Sequence, residues 1–336
     1  MKKIFRSPPF FALVFFIALE LVSTLILSGM GNSLDKTRKI VLPDESLGWR
    51  QAWNLNTTFL DKTFTTDAKG FRKNESLENA PRILFLGPSS TAGWGVHDHE
   101  TYPALMGKNF FVQNAGQIGY SSYQGMKLFE NELASEKYDV VVIAYGINDV
   151  DMHRFYFQSP LTDAEELREQ KEIPKVSFQK MINHSSLLGV MQKLAFKLIS
   201  LTGKGKLPHE DMQKLIRVKE DEFRKNFTTM IDEIRVTGAI PVILSTATHF
   251  KKSNDPEVTF QQDLVIGRMK NYSRILKELA AEKKVSLAHP DIWLVGNRDV
   301  LFVDPVHFSV SGNQLIATGL GDMIGRIVNK GAADGK

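Results

Sequence analysis

The stretch RILFLGPSS at residues 82–90 decides the fold class, because it joins a short apolar run to a loop with two adjacent serines. A short apolar run bounded by such a turn is typical of a buried strand. Similar runs, rich in β-branched residues, occur at residues 110–115, 139–146, 239–247 and 285–289. Helices are predicted at residues 101–108, 122–135, 220–236, 261–284 and 311–330. This alternation predicts a three-layer α/β/α sandwich around a five-stranded parallel sheet.

The composition excludes several classes of site. The chain has 336 residues, 43% of them hydrophobic, which is enough for one large α/β domain or two small ones. It has no cysteine, so disulfides, thiolate zinc sites and cysteine nucleophiles are excluded. Lys2, Lys3 and Arg6 account for much of the net charge of +4, and no other basic cluster is interleaved with aromatic residues. Nucleic-acid binding is therefore not indicated.

The N-terminal segment indicates attachment to a membrane. Residues 10–27, FFALVFFIALELVSTLIL, form an apolar block that approaches the length of a membrane span. Positive charges before this block predict that the amino end stays in the cytoplasm and that the rest of the chain is exported. We expect a signal anchor in residues 1–31 and a single-pass membrane protein whose main domain lies in the periplasm or at the cell surface. A cleaved signal peptide, with small residues at 29–31, is the alternative.

Glu20 interrupts this apolar block. A carboxylate near the middle of a span costs roughly 2.5 to 3.5 kcal/mol on insertion scales. One explanation is a tolerated, protonated acid, and the other is a contact with a membrane protein partner. The sequence leaves both open.

Two regions follow the anchor. Residues 32–80 are predicted to form a connector and an N-terminal extension packed on the domain, since residues 47–72 mix aromatic side chains with turn formers. Residues 81–330 form the main domain, with a helical insertion at about 150–217. Within the insertion, residues 185–200 place apolar side chains at helical spacing, which predicts a helix on the flank of the domain, a lid, or a helix on the membrane surface.

Reactive side chains follow the predicted strands. Ser89 follows the first strand, Gly119 the second and Asn148 the third, and Asp304 and His307 follow the fifth. Ligands of an open parallel sheet bind outside the carboxyl ends of its strands, so these residues are expected to converge. A serine becomes a nucleophile when a base takes its proton, and His307 is a suitable base that Asp304 can orient. The backbone N–H groups of Ser89 and Gly119 and the amide of Asn148 are candidate donors to an oxyanion.

Four sequence blocks resemble those of the SGNH hydrolase family, also called GDSL esterases and lipases. They are GPSSTAGWGV from residue 87, NAGQIGYSS from residue 114, GIND from residue 146 and DPVHFSVSGNQLIA from residue 304. The resemblance covers roughly residues 82–325 and implies the flavodoxin-like SGNH hydrolase fold. It also implies Ser89 as the nucleophile, Asp304 and His307 as the rest of a triad, and Gly119 and Asn148 as oxyanion donors, with no metal or cofactor. Pro88 departs from the pattern, because it replaces the aspartate that follows the glycine in the GDSL motif.

These observations predict a bacterial, membrane-anchored serine esterase that acts on an ester-linked acyl group of an envelope glycan or lipid through an acyl-serine intermediate. The substrate class rests on the expected location. An O-acyltransferase with the same triad is one alternative. A catalytically weakened module that binds glycan or a partner is another, because Pro88 removes a supporting carboxylate. Ser90 is a rival nucleophile, and His97-Asp98-His99 is a weaker candidate for a metal pair.

Overall fold

The computed structural model describes residues 8–29, 40–151, 161–168, 185–201 and 209–334. Its strands are β1 (Val41–Asp44), β2 (Gly48–Gln51), β3 (Asn56–Phe59), β4 (Lys62–Thr65), β5 (Arg82–Leu86), β6 (Phe111–Asn114), β7 (Val140–Ile143), β8 (Ile240–Leu244) and β9 (Ser286–Ala288). Its α-helices are α1 (Pro8–Gly29), α2 (Ser89–Ala92), α3 (Tyr102–Met106), α4 (Ser122–Leu128), α5 (Ile147–Val150), α6 (Asp163–Arg168), α7 (Ser186–Leu201), α8 (His209–Lys214), α9 (Glu220–Val236), α10 (Pro256–Lys283), α11 (Arg298–Leu301) and α12 (Val310–Asp334). Short 3₁₀ turns form at Asp98–Glu100 and Pro290–Ile292, and a π turn at Phe129–Leu133 follows α4.

The central sheet has the strand order β6-β5-β7-β8-β9, and every neighbouring pair is parallel. The first strand of the sheet in the chain, β5, therefore lies between the second and the third. In register, Ile83 pairs with Val112 on one side and with Val140 on the other. The predicted five-stranded parallel sheet is confirmed, and each strand lies within its predicted range.

Side chains of the central strands pack alternately against two helical layers. Leu84 and Leu86 lie in a core shared with α4, α9 and α10. Ile83 and Phe85 point to the opposite core, which contains residues of α3 and α12. Because both faces of the sheet are covered, its strands are apolar throughout, as is usual for parallel sheets.

Helix α10 begins five residues earlier than the sequence pattern predicted. The side chain of Asp255 accepts hydrogen bonds from the backbone N–H groups of Glu257, at 2.9 Å, and of Val258, at 3.4 Å. Pro256 occupies the first helical position, where its missing N–H has no cost. These capping interactions stabilise a helix start at Pro256, although the sequence pattern placed it later.

The N-terminal extension packs on the main domain. It consists of two antiparallel hairpins, β1–β2 and β3–β4, that are not part of the central sheet. Trp49 is 1% exposed, and its indole N–H donates to the carbonyl oxygen of Ile118 at 2.8 Å. The backbone N–H of Gln51 donates to Gln117 Oε1 at 2.8 Å. The extension thus contacts the loop that follows β6.

Helix α1 packs against α7 of the same chain. The carboxylate of Glu20 accepts hydrogen bonds from Ser185 Oγ at 2.8 Å, from the backbone N–H of Leu187 at 3.1 Å, and from the backbone N–H of Ser186. Thr24 Oγ1 donates to Ser186 Oγ at 2.9 Å. Glu20 therefore caps the N-terminus of α7, whereas its predicted contact with a membrane protein partner stays a prediction.

Within the residues that the structure describes, no helix meets the length and apolarity needed to cross a membrane. The transmembrane segment expected at residues 10–27 stays a prediction.

Candidate active site

Ser89 lies at the carboxyl end of β5, where α2 begins. The carbonyl oxygen of Pro88 accepts hydrogen bonds from the backbone N–H groups of Thr91 and Ala92, each at 3.0 Å. Proline therefore supports the first turn of α2 through its carbonyl and needs no N–H there. The side chain of Ser89 is buried, at 8% exposure, and that of Ser90 is half-buried.

Ser89, His307 and Asp304 form a continuous hydrogen-bonded series. Ser89 Oγ lies 2.7 Å from His307 Nε2, and His307 Nδ1 lies 2.7 Å from Asp304 Oδ2. A carboxylate only accepts, so the proton of the neutral imidazole is on Nδ1 and its lone pair at Nε2 faces the serine hydroxyl. The imidazole contacts Ser89, and not its neighbour Ser90. The structure thus brings together the three side chains that the sequence singled out.

The environment of Asp304 keeps it ionised. Burial raises the pKa of the Asp304 carboxyl, but the hydrogen bond and the Coulombic attraction from His307 and the backbone N–H groups of Val306 and His307 lower it, and the net shift is downward. Those backbone N–H groups donate to Asp304 Oδ1 at 2.9 and 3.0 Å. The carboxylate is thereby fixed in position, with its second oxygen on the imidazole.

Three candidate donors surround the same edge of the sheet. Asn148 Nδ2 donates one hydrogen to the carbonyl oxygen of Tyr120 at 3.0 Å, and the amide carries a second hydrogen that can be donated to a ligand. Gly119 has a φ of 77°, a left-handed conformation that favours glycine. Within the described part of the chain, the backbone N–H groups of Ser89 and Gly119 have no hydrogen-bond partner.

The loop that carries Gly119 approaches α2 closely because Gly116 has no side chain. A Cβ atom at Gly116 would lie 2.5 Å from the backbone nitrogen of Ala92 and 2.8 Å from the carbonyl carbon of Thr91. Both contacts are with backbone, which cannot move aside. Gly116 thus allows the loop after β6 to lie directly against the helix that presents Ser89.

Asp149, the residue after Asn148, is fully buried. Burial raises the pKa of Asp149 to about 6, although hydrogen bonds from Ser122 and the charge of Arg217 act in the opposite direction. Its Oδ1 accepts from the backbone N–H of Ser122 at 2.8 Å. Its Oδ2 has no hydrogen-bond partner among the described residues. Asp149 therefore connects the Asn148 turn to the start of α4, and its burial destabilises the ionised form of its carboxyl group.

Trp94 contacts the site and was not among the residues that the sequence analysis selected. Its ring is stacked on the imidazole of His307, with centroids 5.4 Å apart and planes at 20°. Phe59 of the N-terminal extension packs edge-on against Trp94, with centroids 4.7 Å apart. Trp94 lies five residues after Ser89 in the block GPSSTAGWGV, and this position was the feature of the sequence that could have indicated its contact with His307.

Other candidates from the sequence lie in separate interactions. Asp98 forms an ion pair with the buried Arg72 and accepts from the backbone N–H of Thr65. His97 Nδ1 accepts a hydrogen bond from the backbone N–H of Thr63 at 3.1 Å. In the described ranges, no group of three or more histidine, aspartate or glutamate side chains could hold a metal ion.

A cavity of about 260 Å³ adjoins Asn148 and the residue before His307. Its mainly apolar wall includes Ile147, Val150, Phe250, Leu264, Val265 and Val306. Ligand pockets for drug-sized molecules measure about 300–1,000 Å³, so this cavity suits a smaller apolar group.

Comparison with known proteins identifies related sequences and folds. The family model of the GDSL-like lipase/acylhydrolase family matches residues 85–315. No curated protein sequence matches the chain. Among solved structures, an acetyl xylan esterase is 17% identical, with a TM-score of 0.45, over 72% of this chain and 99% of the esterase. A lipase/acylhydrolase from Enterococcus faecalis is 18% identical, with a TM-score of 0.45, over 73% and 96% of the two chains. An aryl esterase of M. smegmatis is 12% identical, with a TM-score of 0.45, over 73% and 98%.

Proposed function

Because this chain belongs to the GDSL-like lipase/acylhydrolase family of ester-hydrolysing enzymes, we propose that it cleaves an ester-linked acyl group through an acyl-serine intermediate on Ser89. The observation that carries the proposal is the hydrogen-bonded series from Ser89 through His307 to Asp304, with both contacts at 2.7 Å. This order of hydroxyl, imidazole and carboxylate is the one that nucleophilic acyl transfer requires.

The reaction proceeds in two halves. His307 Nε2 takes the proton of Ser89 Oγ while the oxygen attacks the ester carbonyl carbon, and the same nitrogen then protonates the leaving alcohol as its C–O bond breaks. Water, deprotonated by His307, attacks the acyl-serine, and the acid leaves as Ser89 regains its proton. Asp304 stabilises the imidazolium in both halves without accepting the proton.

The negative oxygen of each tetrahedral intermediate is stabilised by the N–H groups of Ser89 and Gly119 and by the amide of Asn148. Donors fixed before the reaction need no reorganisation when charge develops, and removing one such donor typically costs about 10²–10³ in rate. This role is supported by the N–H groups of Ser89 and Gly119, for which the described residues provide no hydrogen-bond partner.

The substrate in this proposal is an acylated glycan or lipid of a bacterial cell envelope. The mainly apolar cavity beside Asn148 and Val306 supports an acyl group as the part that is bound, and its volume of about 260 Å³ supports a short one. The choice of an envelope substrate follows from the proposed location of the enzyme.

That location is the outer face of a membrane, with residues 10–27 as a single-pass anchor and the enzymatic domain in the periplasm or at the cell surface. The support is the apolar sequence with basic residues before it, together with the apolar side chains that α1 exposes, including Phe11, Phe15, Leu21 and Leu25. The test is alkaline extraction of membranes, followed by protease treatment of intact and lysed cells. Release of the full chain by alkali would contradict the proposed anchor. In cells whose outer envelope has been removed, protection of the domain from protease until the cytoplasmic membrane is lysed would contradict the proposed orientation.

Labelling with a fluorophosphonate probe tests the enzymatic proposal. We expect the full-length protein in detergent micelles to be labelled with one probe per chain, and Ser89→Ala to abolish labelling. Ser90→Ala is the matched control, because the neighbouring hydroxyl does not contact His307, and it should retain labelling. A folded wild-type protein without labelling would support the binding module that Pro88 suggests.

Product analysis separates hydrolysis from O-acyl transfer. With a p-nitrophenyl ester and an added sugar acceptor, we expect free acid as the main product. Accumulation of acylated sugar in place of free acid would identify the alternative acyltransferase.

A further inference from the structure

A buried ion pair joins two residues of the insertion that lie 54 positions apart in the sequence. Asp163, at the start of α6, and Arg217, before α9, are 2% and 1% exposed. Arg217 Nη2 donates to Asp163 Oδ2 at 2.8 Å, and Arg217 Nε donates to the same oxygen at 3.1 Å. This fork geometry is specific to arginine, because lysine offers a single point of charge.

The same pair contacts the loop that carries Gly119. Arg217 Nη1 donates to the carbonyl oxygen of Gly119 at 2.7 Å, and Nη2 also donates to Gln124 Oε1 at 2.7 Å. On the other side, Asp163 Oδ2 accepts from Ser121 Oγ at 2.7 Å. Residues 119, 121 and 124 are therefore held by one guanidinium and one carboxylate from the insertion.

Gly119 needs such support if its N–H group is to point at an oxyanion. Glycine populates left- and right-handed conformations with similar ease, so its own sterics do not fix the φ of 77°. A charge-assisted hydrogen bond in a buried site is stronger than a neutral one and restricts the carbonyl to one direction. The ring of Trp49 also restricts the position of the Arg217 side chain, because the guanidinium carbon lies 5.2 Å from the ring centroid.

We propose that Arg217 is a positioning residue for the oxyanion hole. It fixes the peptide unit that follows the Cα atom of Gly119, whereas the hydrogen bond from Trp49 Nε1 to the carbonyl oxygen of Ile118 fixes the preceding unit, which carries the Gly119 N–H. Together the two contacts set the φ and ψ of Gly119 and thus the direction of its N–H. This inference rests on the proposed function, in which that N–H stabilises the tetrahedral intermediate. A buried ion pair by itself is weak evidence for stability, because apolar side chains of similar volume often serve as well. The contact with Gly119 gives this pair a role that apolar side chains could not perform.

The test compares Arg217→Lys with Arg50→Lys in the full-length enzyme on a short-chain p-nitrophenyl ester. Lysine at 217 keeps a positive charge for Asp163 but cannot also reach Gly119 in the fork geometry. We expect kcat to fall by about 10- to 100-fold, as small misplacements of catalytic groups do, and KM to change by less than about threefold. Arg50 is the matched control, since it also binds a carboxylate, Glu132 at 3.0 Å, and a backbone carbonyl, Lys69 at 3.3 Å, and neither partner belongs to the loop that carries Gly119.

The affinity for an inhibitor that forms an oxyanion distinguishes a positioning role of Arg217 from a role in folding. A trifluoromethyl ketone that forms an oxyanion on Ser89 should bind Arg217→Lys more weakly, by about the factor lost in kcat/KM, whereas the control should bind it as the wild type does. If Arg217→Lys does not fold, the double variant Asp163→Asn/Arg217→Gln, which removes both charges of the ion pair together, carries the same comparison.

Two results would overturn the inference. One is a folded variant at position 217 whose kcat stays within about threefold of the wild type, and the other is an equal loss of kcat in Arg50→Lys. Failure of the proposed function is distinguishable, because in that case the wild-type protein itself would not be labelled at Ser89.

Discussion

The indole ring of Trp94 lies nearly parallel to the imidazole of His307, at a centroid distance of 5.4 Å. Asp304 fixes one edge of the imidazole through a hydrogen bond, whereas Trp94 covers one of its faces. The two contacts restrict different motions of the ring, since the hydrogen bond sets its direction and the indole limits its tilt. Nε2 is thereby kept in line with Ser89 Oγ.

Replacing Trp94 with leucine should lower kcat by about tenfold with little change in KM, because His307 loses its stacking partner and Nε2 is less often aligned. Trp94→Phe should restore most of the activity, since a phenyl ring can still stack. Steady-state kinetics on a soluble ester measure both effects. Equal activity of the leucine and phenylalanine variants would show that stacking has no part in catalysis.

Asp149→Asn should stabilise the protein at neutral pH. The folded state binds the Asp149 proton more tightly than the unfolded chain, because the pKa is raised from 3.8 to about 6. Ionisation of the buried group therefore reduces stability progressively as pH rises from about 4 to 6, by a total on the order of 3 kcal/mol, and the loss is constant above that range. Urea unfolding at pH 4.5 and 7.5 should show a larger advantage of the variant at the higher pH. The exposed Asp263→Asn is the control, and the same advantage at both pH values would contradict the assigned cause.

Filling the cavity beside Asn148 should change the preference for acyl length. Val265→Phe places a larger side chain in the cavity wall, so kcat/KM for a hexanoyl ester should fall by about tenfold or more, whereas the value for an acetyl ester should change by less than about threefold. Val236→Phe, at a position 88% exposed on α9, should change neither value. A uniform loss for both esters would show that the cavity does not bind the acyl chain.

Cysteines introduced together at Thr24 and Ser186 should form a disulfide within one chain. The two hydroxyl oxygens lie 2.9 Å apart, which places the side chains within reach of a disulfide bond. The chain has no other cysteine, so any disulfide must join introduced residues. We expect a monomeric band on non-reducing gels and protection from maleimide, with Thr24→Cys alone as the control. A predominantly dimeric band would favour a contact of α1 with another chain.

The positions of the strands and the convergence of the triad were predictable because they depend on local pattern and on a general property of parallel sheets. The run at residues 82–86 is apolar at every position except Arg82, and the carboxyl ends of such strands meet at one edge. Ser89 and His307, 218 positions apart, could therefore be paired before their distance was known.

The supporting residues could not be predicted in the same way. Arg217 and Asp163 are ordinary charged residues in a polar stretch, and only the three-dimensional course of the insertion buries them together. The partner of Glu20 was also beyond prediction, because the sequence predicts a helix at residues 185–200 but does not indicate that this helix begins next to α1. Both interactions depend on contacts distant in the sequence that no local pattern records.

Asp163 and Arg217 lie 54 positions apart, and their ion pair connects two distant points of the chain beside the loop that carries Gly119. The contacts of this pair with Gly119, Ser121 and Gln124 depend on the two side chains themselves and not on the number of residues between them. A change of chain length between these two positions would therefore leave the reaction centre in place, provided that the ion pair still forms.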